Sequence, residues 1–114
     1  MHSVDDHFAG RAPVVREIYD ALLRVSRQFG AVTEEPKKTS IHLMAPRSAF
    51  AGVATRKDSI VLTIKSPSEI ESPRVAKGER VSANRWHVEV RLQSAADVDR
   101  ELTAWLKRGY EMST

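Results

Sequence analysis

His42, His87 and Glu89 are the residues whose types suit acid-base or metal chemistry, and the period of the surrounding sequence decides where they stand. His42 sits between Ile41 and Leu43, while His87 and Glu89 alternate with Trp86, Val88, Val90 and Leu92. In a half-buried strand that alternation turns all three to the wetter side, together with Thr63, Lys65 and Arg91. Were the strands bearing His42 and His87 neighbours, two imidazoles and the Glu89 carboxylate could approach a zinc ion. No two of these ligands lie at a diagnostic spacing. His87 and Glu89 also form a same-side pair able to serve the acid-base steps of a small nuclease or hydrolase. The chain has no nucleophile elbow, glycine-rich phosphate loop, His-Glu-x-x-His motif or dinucleotide fingerprint, so no catalytic residue, metal centre or cofactor is assigned.

The cations point to a binding role. Lys38, Arg47, Arg56 and Lys57 fall at strand ends or turns, and Arg74, Lys77 and Arg80 fall in a proline-containing loop. Together they would make a positive rim for a phosphate or carboxylate, which the planar fork of arginine fits well. Lys38, His42, Arg47, Arg56, Arg74, Arg80, His87, Glu89 and Arg91 are therefore the candidate ligand-binding set. Solvated turn chemistry accounts for the same residues without a ligand. The net charge is +3, and residues 36–91 carry 11 Lys or Arg against 5 Asp or Glu. Such a basic middle would attract phosphate-bearing partners, nucleic acid among them. The reading that follows is a non-enzymatic module that binds an anionic small molecule, a protein partner or a second copy of itself as a homodimer, with nucleic-acid binding as the alternative.

Composition narrows the setting. With 114 residues and no cysteine, one domain spanning residues 1–114 can bury roughly 60 to 70% of its unfolded surface without disulfide staples. The stretch MHSVDDHFAG has neither a basic start nor an apolar run, and no segment approaches the roughly 18 apolar residues of a membrane span. A cytoplasmic protein with no membrane association is the expectation.

The elements that would carry these residues are read from periodicity. Pro13 suits the first position of a helix, and Val15, Ile18, Leu22, Val25 and Phe29 follow at steps of three and four. Gly30 ends that run. The stretch VTEEPKK, interrupted by Pro36, reads as a connection, and Thr39–Met44 reads as a short strand. Ser48–Ile64 reads as a hairpin turning at Arg56–Ser59; its second arm alternates cleanly through Ile60, Leu62 and Ile64, whereas the facing of Phe50 on the first arm is ambiguous. Ser66–Arg80, with two prolines and a glycine, reads as a mobile flap, and Val81–Leu92 as a strand. Ser94, with Asp97 in the position of a capping box, opens a last helix striped by Val98, Leu102, Trp105 or Leu106, and Tyr110, in which Gly109 costs about 1 kcal/mol relative to alanine. The expected fold is α+β in two layers: an antiparallel sheet of four to five strands, the N- and C-terminal helices packed on one face, and the other face open.

The segments DHFAGR (6–11), IYDALL (18–23), FGAVTEEPKKTSIHL (29–43), FAGVATRKDSIVLTI (50–64), RWHVEVRL (85–92) and DVDRELTAWLKRGYE (97–111) together resemble the bacterial domain-of-unknown-function family 5655. The resemblance covers nearly the whole chain and implies a bacterial module that elsewhere is appended to other domains. It carries over no catalytic residue. Where that family usually has alanine before the final tyrosine, this chain has Gly109.

Overall fold

In the computed structural model, which describes residues 2–114, the first long element is α1 (Pro13–Arg27), with Pro13 at its first turn. Its missing N–H costs nothing there, because the first turn of a helix has no internal acceptor for it. Four strands follow, β1 (Thr33–Pro36), β2 (Ile41–Met44), β3 (Ala49–Thr55) and β4 (Ile60–Ser66). The hairpin β5 (Val75–Ser82) and β6 (Arg85–Leu92) comes next, and α2 (Arg100–Glu111) closes the chain. All six strands form one antiparallel sheet in the order β1-β2-β3-β4-β6-β5.

Register fixes the two faces. Ile41, Val53, Leu62 and Val90 lie in one row across four strands, and Leu43, Ala51, Ile64 and Val88 in another. These side chains are nearly or wholly buried and share one core with Val15, Ile18 and Leu22 of α1 and Leu102, Leu106 and Tyr110 of α2. Both helices therefore cover the same side of the sheet, as the alternation predicts. The intervening row, Glu35–His42–Gly52–Thr63–Glu89–Lys77, crosses all six strands on the uncovered face.

Four expectations need correction. The sheet has six strands rather than four to five, because β1 and β5 lie at its edges. Pro36 does not break β1; it is the last residue of an edge strand, where a missing N–H is tolerated. The expected flap is only partly loop: Val75–Ser82 is a strand almost wholly exposed on both sides, interrupted by register shifts between Val75 and Lys77 and between Arg80 and Ser82. A strand that buries neither face leaves no alternation to read. Its partner accordingly starts at Arg85, after a turn at Ala83–Asn84, and not at Val81.

The other corrections are local. Leu43 pairs with Ala51 and Met44 with Ala49, so Phe50 is the extra residue of a β-bulge. The bulge turns its ring inward, fully buried, edge-on to Tyr110 at 5.3 Å between centroids. The capping box of Ser94 and Asp97 does form, but it closes a single 3-10 turn, Ala95–Asp97. The helix proper begins at Arg100, capped by Asp99, whose carboxylate accepts the Leu102 N–H at 3.0 Å.

Candidate functional site

A trough crosses the uncovered face. Its floor is Gly52 and Ala54 of β3; its sides are His42 on β2, Thr63 and Lys65 on β4 and His87 on β6; its cavity volume is about 290 Å³. The floor is low because of residue choice and not because of backbone need. A Cβ built on Gly52 would meet nothing nearer than the His42 ring at 3.9 Å, an ordinary contact. The glycine is thus required neither by packing nor by a left-handed backbone, and what it provides is room between the two imidazoles.

Lys65 is the unusual member. It is only 8% exposed, and its ammonium donates to Ser48 Oγ and Ser113 Oγ, each at 2.8 Å. Ser113 Oγ in turn donates to the Gly109 carbonyl at 2.9 Å, tying the end of α2 to this corner of the sheet. Neither partner carries charge, and among the described residues no carboxylate lies within ion-pair distance of Lys65. Burial, with a smaller contribution from the nearby Arg85, holds the amine below the usual lysine range. An ammonium has three donors, so one is left beyond the two serines.

The nine residues singled out from sequence do not form one cluster. His42 and His87 both line the trough. Their strands are not neighbours, however: β3 and β4 lie between, which puts the two backbones ~14 Å apart at the usual strand spacing. The zinc arrangement of His42, His87 and Glu89 is therefore not formed, and among the described residues no group of three His, Cys, Asp or Glu is gathered to hold a metal ion. Glu89 lies between Thr63 and Lys77 in its row, and Arg91 lies opposite Val61 on the same face. Arg47 is exposed in the turn before β3, with its backbone N–H bonded to the Ser113 carbonyl at 2.9 Å.

Two arginines are engaged elsewhere. Arg74 binds Asp99 at 2.9 Å, Glu101 at 3.1 Å and the Asp97 carbonyl at 2.7 Å, and its guanidinium stands 5.7 Å from the Trp105 ring centroid. It straps the start of β5 to the start of α2. Arg80 bonds the Ser82 and Ala83 carbonyls of its own hairpin. Lys38 and Arg56 stand at the far end of the sheet, lining a different, polar cleft. Sequence reasoning put Lys65 on the right face but outside the candidate set, because its burial depends on serines 17 and 48 positions away.

A two-layer α+β domain with a small trough on its bare sheet face is thus the class that fold and site define. Within that class, the family model described as Domain of unknown function (DUF5655) matches residues 4–113, and the chain belongs to that family. Comparison with curated proteins and with solved structures returns no match. Among the described residues no helix is long and apolar enough to cross a membrane.

Proposed function

We propose that this domain is a non-enzymatic binding module whose trough takes a small anionic molecule, a carboxylate or phosphate, with Lys65 as the charged anchor. The observation that carries the reading is a buried lysine in the lining of the trough whose ammonium is held by two serine hydroxyls and has no carboxylate partner among the described residues. Burying an unpaired charge is costly, and an anion seated in the trough would offset that cost. Thr63, His42 and His87 supply hydrogen-bonding groups along the sides. The size favours a metabolite over a polymer, since about 290 Å³ is at the lower end of small-molecule pockets. Nucleic-acid binding finds less support. Phe50, Trp105 and Tyr110 are buried in the core between sheet and helices rather than displayed as stacking platforms, and Arg74 is already neutralised.

The test is a thermal-shift and NMR titration of the whole chain with a panel of small carboxylates and phosphates, on wild type and Lys65→Met. At least one anion is expected to move the amide resonances of Gly52, Thr63 and Lys65 saturably in the wild type, with at least about a tenfold loss of affinity in the variant. No saturable response from any anion, or an equal response in Lys65→Met, would overturn the assignment.

A further inference from the structure

The cleft at the opposite end of the sheet carries an arrangement of charge that the trough does not explain. Thr55 is the last residue of β3, and its side chain points away from the trough that Ala54 lines. Its carbonyl oxygen accepts from two guanidiniums at once, Arg56 Nη1 at 3.2 Å and Arg11 Nη2 at 3.5 Å. Lys38 lines the same cleft from the turn between β1 and β2. Among the described residues none of the three cations has a carboxylate within 4.0 Å. Two like charges converging on one neutral oxygen repel each other, and an anion bridging them reverses the sign of that interaction.

The walls are held in place before any ligand arrives. Thr55, 5% exposed, donates its hydroxyl to the His7 carbonyl at 2.6 Å and accepts from Arg11 Nε at 3.3 Å. His7 Nε2 bonds the Lys37 carbonyl at 2.8 Å, and the Ala12 N–H bonds the Lys57 carbonyl at 2.8 Å. The N-terminal turn is thereby tied to both turns that bear the other cations, which limits the ordering cost of binding. The single carboxylate in the lining, Asp6, is turned to the Ser3 N–H at 3.1 Å.

From this geometry we infer a second anion site, formed by Arg11, Lys38 and Arg56, that takes the phosphate group of a small phosphomonoester or free phosphate. Phosphate suits it better than carboxylate. The cations approach from three separate segments, a tetrahedral dianion offers an oxygen to each, and guanidinium forks match phosphate oxygens in pairs. With a cavity volume of about 350 Å³, the cleft accepts the group together with part of what it is attached to.

The experiment is an NMR titration of the whole chain at constant ionic strength, with inorganic phosphate, glycerol phosphate and acetate as separate arms. Phosphate in either form is expected to shift the amides of Arg11, Lys38, Thr39 and Arg56 saturably, with acetate at least about tenfold weaker. Tighter binding of glycerol phosphate than of inorganic phosphate identifies the monoester as the preferred source, and the reverse order identifies the free ion. Arg56→Gln and Lys38→Gln change exposed side chains outside the core, so they fold, and each should weaken phosphate by about tenfold or more. Lys65→Met should leave this site unchanged, which separates its fate from that of the trough. The inference is overturned if phosphate gives no saturable shift, if acetate binds equally well, or if Arg56→Gln and Lys38→Gln bind as the wild type does.

Discussion

Gly109→Ala tests how closely α2 lies on the sheet, and it sets two opposing effects against each other. In an isolated helix the change is favourable by about 1 kcal/mol, since alanine loses less backbone freedom than glycine. Here the new Cβ would fall well under 3.0 Å from the Lys65 carbonyl oxygen and 3.3 Å from that of Phe50. Both obstacles are sheet backbone and cannot rotate aside. The helix must instead back away by something on the order of 1 Å, beside Leu106 and Tyr110, which fill the core; such overpacking costs typically about 1–3 kcal/mol. Subtracting the propensity gain leaves a net destabilisation of about 0–2 kcal/mol, centred near 1. With a urea m-value of about 1–2 kcal/mol per molar for a chain of this length, the unfolding midpoint should fall by about 0.5–1 M with the slope unchanged. The same displacement loosens Ser113 from Lys65, so Gly109→Ala and Lys65→Met should combine non-additively. A variant more stable than wild type would mean that helix propensity prevails and that the close approach is not a constraint.

Two further outcomes follow from the same contacts. Lys65 releases its proton at lower pH when folded than when unfolded, so across the interval from that depressed value to about 10.5 the unfolded chain holds more protons. The stability difference between wild type and Lys65→Met should therefore shift in favour of wild type as pH rises through that interval, by about 1.4 kcal/mol for each unit of depression; a difference flat from pH 7 to 10.5 would contradict it. Arg74→Ala should cost about 1 kcal/mol or slightly more, because it removes bonds to the α2 cap as well as surface ion pairs. Its amide exchange should quicken in residues 75–82 ahead of the rest of the sheet, and uniform exchange would argue against a strap.

Elements with one buried face were readable from sequence, and those without were not. The α1 stripe, the clean alternation of β4 and the facing of His42 and His87 all follow from the need to bury Ile18, Leu62 or Val88 while wetting their neighbours. β5 obeys no such need. The inward turn of Phe50 depends on a bulge set by pairing with β2, and no local pattern encodes it. The sites were harder still, since their decisive contacts are remote along the chain. Lys65 is buried by Ser113, Arg11 is fixed by Thr55, and the neighbours of these residues in sequence signal neither contact.

The two margins of the sheet have a consequence for assembly. β1 is four residues long and ends in a proline; β5 is broken twice in register and bears Lys77, Glu79 and Arg80. Such borders are poor templates for a strand from another molecule, so growth into sheet-extended polymers is discouraged at both ends. A self-contact made through the sheet would instead stack flat side against flat side, and it would then compete for the same ground as a ligand lying between His42 and His87.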